Sequence, residues 1–179
     1  MHRTRISACL LTVVFAFGIT GCATRKVYMP SADRQFEPIP EFSSSNSVAL
    51  LNAQPSNQEV EFTKQGVFTW VANLKEWTGV AITIAQRQLE KRGLQTSDGS
   101  QRQLSISVVA VKTETNFLAS SVETQVLLRV ETAAGYSAEY TGKSKTYVLL
   151  NMARQIDYAL MNTVVELLSD PKIVSYLTN

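Results

Sequence analysis

Apolar residues recur every three or four positions in two long segments of the chain. The first covers residues 74–92 and includes Leu74, Trp77, Ile84 and Leu89, and the second covers residues 149–168. This spacing places the apolar side chains on one side of an α-helix, so it predicts two long amphipathic helices. Gly93 follows the first segment, where a glycine commonly ends a helix.

Between the two predicted helices, apolar and polar residues alternate. The alternation covers residues 104–110, 122–130 and 136–141, with a turn at residues 133–135. Alternation with period two predicts strands of an antiparallel sheet that has one buried face and one wet face. Residues 47–52 predict a short buried strand, and the region around residues 60–71 predicts a further extended segment.

These elements together predict one α+β domain over residues 47–179. An antiparallel sheet with the two long amphipathic helices packed on one face buries all the apolar faces at once. Asp170 and Pro171 have the residue types favoured at the cap and first position of a helix, so they predict a last short helix.

The N-terminal region has a different pattern. His2, Arg3 and Arg5 precede an apolar run over residues 6–17, which is shorter than the about 20 residues that span a bilayer. This layout predicts a signal peptide over residues 1–21. A buried helix in the folded domain is the less favoured alternative.

The end of this signal resembles a bacterial lipobox. Ile19-Thr20-Gly21-Cys22 has an aliphatic residue, two small residues and a cysteine. The resemblance implies cleavage before Cys22, lipidation of its thiol and acylation of the new amine, and two or more chains anchor a protein stably. Ala23 follows where an aspartate would resemble an inner-membrane retention signal. The resemblance therefore favours the periplasmic face of a Gram-negative outer membrane.

Residues 22–46 show no persistent period and contain Pro30, Pro38 and Pro40. This composition predicts a lipidated cysteine followed by a flexible tether.

The net charge and the residue types of the mature chain exclude several classes of function. The chain has 17 Lys and Arg against 15 Asp and Glu, and Arg3 and Arg5 lie in the signal, so the mature side chains are formally neutral. No basic field remains to bind nucleic acid.

His2 and Cys9 also lie in the signal, so a mature chain lipidated at Cys22 cannot form a Ser-His-Asp or Cys-His triad or a Cys/His zinc site. We therefore expect no catalytic residues, no metal and no cofactor.

Three fragments resemble catalytic motifs and are each better explained by structure. Residues 142–144, Gly-Lys-Ser, lack the earlier glycine of a phosphate-binding loop. Residues 169–172 have a Ser-x-x-Lys spacing without its companion motifs. Glu59 and Glu61 could act as paired carboxylates of a glycoside hydrolase, although a solvated strand face is favoured.

Trp70 and Trp77 flank the start of the first predicted helix. Two close tryptophans are more often core residues, but a partly exposed one could contact a partner, because tryptophan is enriched at interface hot spots.

Most of the mature chain resembles small Gram-negative envelope lipoproteins of the YajG-like type. The shared features are the lipobox, a proline- and serine-rich segment, a helix ending in Leu-Glu-Lys-Arg-Gly-Leu at residues 89–94, alternating strands and a final amphipathic helix. Residues 47–51 also resemble the first strand of penicillin-binding-protein activator lipoproteins. Lipopolysaccharide-assembly and transport-auxiliary lipoproteins fit less well, because their sequence features after the cysteine are absent.

The sequence predicts a membrane-anchored, non-enzymatic binding or scaffold module with an envelope protein as partner. One alternative is an accessory subunit of an envelope machine that handles lipid or peptidoglycan. The other is a carboxylate-dependent hydrolase.

Overall fold

A computed structural model describes residues 24–34, 39, 41–42, 44–116, 118–147 and 152–179. The predicted signal peptide and Cys22 lie outside the described residues. Within them the elements are, in chain order, β1 (Thr24–Tyr28), β2 (Ser47–Asn52), β3 (Glu59–Gln65), β4 (Phe68–Asn73), α1 (Leu74–Lys91), β5 (Gln95–Thr96), β6 (Gln103–Asn116), β7 (Ser121–Thr132), β8 (Ser137–Thr146), α2 (Met152–Ser169) and α3 (Pro171–Thr178).

The strands form two sheets, so the prediction of a single antiparallel sheet was wrong. The larger sheet has the order β5-β2-β6-β7-β8 and the smaller sheet has the order β1-β4-β3. The β6–β7–β8 part is antiparallel, as predicted, but β2 runs parallel to both β5 and β6. The chain between β2 and β6 contains α1, and a crossover through a helix lets the next strand run in the same direction. The α+β class itself is confirmed.

Helix α1 begins and ends where its sequence provides caps. The Asn73 side chain accepts hydrogen bonds from the backbone N–H groups of Lys75 and Glu76, which satisfies two donors at the start of the helix. Gly93 has a φ of +85°, the left-handed conformation expected after a helix end. The Thr78 hydroxyl of α1 accepts the backbone N–H of Val108 in β6 at 2.9 Å, which joins this helix to the larger sheet.

Helix α2 packs closely on the backbone of β8. A Cβ atom at Gly142 would overlap the backbone nitrogen of Thr163 and the carbonyl oxygen of Ala159. The Gly142 N–H donates to the Thr163 hydroxyl at 3.1 Å, and that hydroxyl lies 3.2 Å from the Val126 carbonyl of β7. Residues 142–144 therefore lie in a strand under α2 rather than in a phosphate-binding loop.

The predicted cap of α3 is present. The Asp170 carboxylate accepts the Lys172 N–H at 2.8 Å and the Tyr136 and Tyr140 hydroxyls at 2.9 and 2.6 Å. Burial acts to raise the pKa of Asp170, but hydrogen bonds from Tyr140, the Lys172 N–H and Tyr136 lower it below its usual value. Burial and the Asp170 carboxylate raise the pKa of Tyr140, so its hydroxyl stays a donor.

This pair makes a pH-dependent contribution to stability. A carboxylate whose pKa is lowered by folding stabilises the folded state above its unfolded pKa of about 4, and the contribution is lost as the pH falls through the folded pKa. Tyr140→Phe should lower the free energy of unfolding by about 1 kcal/mol at pH 7, and by less once Asp170 is protonated. Urea unfolding of both proteins at several pH values measures this. An equal difference from neutral pH down to strong acid would contradict the assignment.

The prediction of a flexible tether over residues 22–46 is wrong for the part that begins with β1. β1 pairs in parallel with β4 along its whole length, from Thr24 opposite Phe68 to Tyr28 opposite Ala72. Further along, Ile39 is buried in the main core. The domain therefore includes chain before residue 47, because Tyr28, Ala32 and Phe42 also pack against the main core.

Candidate functional site

One face of the β6–β7–β8 sheet is turned away from the helices. Gly142 and its cross-strand partner Val126 both contact α2 through Thr163. Side chains on this face of the sheet belong to the core. The alternate side chains are exposed or half-buried and point to the opposite side. This open face includes Ser105 and Ser107 of β6, Gln125, Leu127, Arg129 and Glu131 of β7, and Glu139, Thr141 and Lys143 of β8.

A β-bulge places apolar side chains at the centre of the open face. Val108 pairs with Leu128 and Ala110 pairs with Leu127, so Val109 is an extra residue on β6. A bulge re-aims side chains locally, and both Val109 and Ala110 are accessible here, as is the half-buried Leu127. The two strands therefore form a small apolar centre, which we call the Leu127 centre and define by Val109, Ala110 and Leu127.

Polar and charged groups surround this centre. Arg129 donates from Nε and Nη2 to Glu139 Oε1 across β7 and β8, at 3.0 and 2.6 Å. Both side chains are partly exposed, so this ion pair adds little stability. A shallow cavity of about 340 Å³ adjoins the centre, and its lining includes Gln54, Gln58, Ser107, Val109 and Arg129. An apolar centre within a polar rim is the usual anatomy of a protein interface.

Glu59 and Glu61, the carboxylates of the hydrolase alternative, both make ion pairs. Within the described ranges, no group of three or more His, Cys, Asp or Glu side chains is placed to hold a metal ion. Glu59 pairs with Arg25, and Glu61 pairs with Lys64 at 3.1 Å on the exposed side of β3. Both glutamates are thus engaged by neighbouring basic groups on a strand surface.

The two tryptophans lie in different environments. Trp77 is 0% exposed, its Nε1 donates to the Tyr28 carbonyl at 2.8 Å, and its ring packs edge-on against Phe62. Trp70 is half-buried on β4. Trp77 therefore has no surface to offer a partner, and only Trp70 retains part of the predicted contact role.

A buried carboxylate that was not predicted from the sequence holds the N-terminal segment. Asp157 of α2 is 1% exposed and accepts the Tyr28 hydroxyl at 2.8 Å, the Ser31 N–H at 3.0 Å and Arg34 Nε at 3.0 Å. We call these four residues the Asp157 latch. Burial and the hydrogen bond to Asp157 raise the pKa of Tyr28, which keeps its hydroxyl protonated. An acidic residue on the apolar side of a predicted helix was the available signal.

Comparison with known proteins gives a fold relationship and no assigned activity. Protein XCC0632 from Xanthomonas campestris, of family DUF330, has a similar structure with a TM-score of 0.50. The match covers 85% of this chain and 94% of that chain at 14% sequence identity, so it shows a shared fold alone. No protein-family model matches the sequence, and no curated protein matches it. The resemblance to YajG-like lipoproteins stays a prediction.

Among the described helices, none is both long and apolar enough to cross a bilayer.

Proposed function

We propose that this protein is a lipid-anchored, non-enzymatic binding module of the outer membrane that recognises an envelope protein through the open face of β6, β7 and β8. The single observation that carries the proposal is the Leu127 centre, because an accessible apolar patch at the middle of a polar sheet face has no role in the core. Such central residues carry most of the binding energy of interfaces.

The membrane anchor rests on the sequence of the N-terminal region. The lipobox ending at Cys22 and the apolar run before it favour acylation, and Ala23 favours the outer membrane. With β1 beginning at Thr24, only one residue would separate the lipidated cysteine from the first strand. The domain would then be held close to the membrane instead of moving freely on a long tether.

The two rival functions differ in their support. An accessory subunit of an envelope machine would use the same open face, so it differs from the leading proposal in the identity of the partner. A carboxylate-dependent hydrolase needs two carboxyl groups facing a substrate groove. Glu59 and Glu61 instead make ion pairs on the surface of β3, which favours the binding module.

A charge at the Leu127 centre should prevent partner binding without unfolding the domain. Leu127→Asp places a carboxylate where an apolar contact is desolvated, and loss of a central contact costs about 2 kcal/mol, or more than tenfold in affinity. The measurement is the yield of the crosslinked envelope protein, identified by mass spectrometry, from intact cells that express equal amounts of each variant.

Glu166→Lys supplies the matched control, because Glu166 is exposed on α2, which packs against the opposite side of the sheet. Its crosslinking should equal that of the wild type. Equal yields from Leu127→Asp and the wild type would refute recognition by the open face, whether the partner is a free-standing protein or a subunit of a larger machine.

A further inference from the structure

Exposed apolar side chains occur at several loop tips of the domain. Val67, in the turn between β3 and β4, is 57% exposed, and Leu118, between β6 and β7, is fully exposed. Tyr147 directly follows β8 and is 68% exposed. Isolated exposed apolar residues are ordinary on protein surfaces, so their meaning depends on where these three lie relative to one another.

Leu118 and Tyr147 lie at the end of the domain where α2 begins. Ser144, near the end of β8, hydrogen-bonds Gln155 in the first turns of α2. Ser144 also pairs across the sheet with Thr124, which pairs with Thr113 of β6. Beyond the Thr113–Thr124–Ser144 row, the strands extend further to the β6–β7 turn and to the end of β8. Leu118 and Lys145 line the same surface depression there.

The N-terminal strand reaches the same end of the domain. The Tyr28 hydroxyl donates to the Ala153 carbonyl in the first turn of α2 at 2.8 Å, and its ring packs against Trp77 at the start of α1. After Tyr28 the chain follows α1 towards its C-terminal end, because Arg87 binds the Ala32 carbonyl and Arg92 binds the Ile39 carbonyl. β1 runs parallel to β4, which leads directly into α1, so Thr24 and Phe68 lie at the ends of these two strands that are remote from α1.

Val67 lies beside this outgoing chain. The Thr24 N–H donates to the Val67 carbonyl at 2.8 Å. Cys22 precedes Thr24 by two residues, and consecutive Cα atoms are 3.8 Å apart, so a lipid anchor at Cys22 leaves the chain within about 8 Å of Thr24. We call Val67, Leu118 and Tyr147 the anchor-end tips.

Resting on the proposed lipidation of Cys22, we propose that the anchor-end tips insert into the interfacial region of the phospholipid bilayer and hold the domain in a fixed orientation. The binding partner of the anchor-end tips is thus the lipid bilayer. The covalent anchor brings the bilayer to these side chains, and apolar and tyrosine side chains favour the membrane–water interface.

The basic residues at this end fit the same partner. Lys26 Nζ lies 4.0 Å from the centre of the Phe68 ring, and Lys145 Nζ lies 5.5 Å from that of Tyr147. A lysine beside an aromatic ring can keep its ammonium group at the headgroup level while its stem contacts apolar surface. Glu114 and Glu123 line the same depression as Lys145, so the charge at this end is mixed and the orientation rests on the apolar side chains.

Fluorescence quenching in vesicles tests the orientation. Once Cys22 is acylated, the mature chain has no other cysteine, so a single new cysteine can carry an environment-sensitive label. The full-length lipoprotein with Val67→Cys or Leu118→Cys is reconstituted in phosphatidylethanolamine–phosphatidylglycerol vesicles that contain spin-labelled phospholipid. Ala134→Cys is the control, because Ala134 is exposed in the β7–β8 turn at the opposite end of the two strands.

We expect the labels at 67 and 118 to be quenched at least about twofold more than the label at 134, because only inserted side chains contact lipid. Equal quenching at all three positions, in protein whose mass shows acylation, would overturn this orientation while leaving the lipid anchor intact. Protein whose mass is that of the uncleaved precursor without acyl chains at Cys22, the state expected of Cys22→Ser, would overturn the anchoring and with it this inference.

Discussion

Gly142→Ala is expected to lower the free energy of unfolding by about 3 kcal/mol or more, at the upper end of the cost of overpacking a core. The added Cβ atom would overlap two backbone atoms of α2, at Thr163 and Ala159. Backbone atoms cannot move as a flexible side chain can, so α2 must shift away from β8. That shift would also weaken the hydrogen bond from the Gly142 N–H to the Thr163 hydroxyl.

Gly79→Ala is the matched control for this substitution. Gly79 lies inside α1, and a Cβ atom there meets nothing within 4 Å, so the change should stabilise the domain by up to about 1 kcal/mol through helix propensity. Urea unfolding midpoints of the two variants should therefore move in opposite directions. A Gly142→Ala midpoint equal to that of the wild type would contradict the close packing of α2 on β8.

Asp157→Ala is expected to lower the free energy of unfolding by about 2–4 kcal/mol. It removes a charged acceptor shared by Tyr28, Ser31 and Arg34, and hydrogen bonds to charged groups contribute about 1.5–3 kcal/mol each without being additive. We also expect β1 to separate from the domain more often, which hydrogen exchange of the amides of residues 24–28 measures directly.

Asp33→Ala provides the comparison with an exposed carboxylate. Asp33 binds Arg87 at 2.8 Å, and its side chain is 81% exposed, so its loss should change stability by less than about 1 kcal/mol. The Asp157 latch would be contradicted if the two variants had equal stability and equally slow exchange in β1.

The helices and the antiparallel hairpins could be predicted because their signals are local. Leu89 and Ile156 lie on the predicted apolar faces and are both buried, and Gly135 has the positive φ expected in the β7–β8 turn. The parallel pairing of β2 was not predictable in the same way. It depends on which strands a crossover brings together, and residues 47–52 have the same apolar character in either direction.

The open face was predicted only in part. Alternation in β7 indicates a wet face, but the residue run Val108–Val111 contains no polar residue that would reveal a bulge at Val109. Asp157 lies on the apolar side of a predicted helix, but its latch partners are 123 or more positions away, so no local pattern identifies them. For the same reason the proline-containing segment resembled a tether, although residues 24–34 form a strand and a latched extension.

The open face and the latch have complementary consequences for the proposed binding module. The latch fixes the N-terminal strand to α2. A lipid anchor at Cys22 would therefore be attached to the folded domain without a long flexible linker. The Leu127 centre lies on the side of the sheet that the helices leave free. A partner could therefore contact this face while the anchor-end tips stay at the membrane.

Site-specific photo-crosslinking at residue 127 tests the recognition of an envelope protein most directly. A photoreactive amino acid is placed at position 127 or, as the control, at position 166, in the full-length protein in intact cells. We expect a single identified envelope protein to be crosslinked from position 127, to be lost when Arg129→Glu is added, and to be absent from position 166. The same adducts from both positions, or none from 127 in folded and acylated protein, would contradict it.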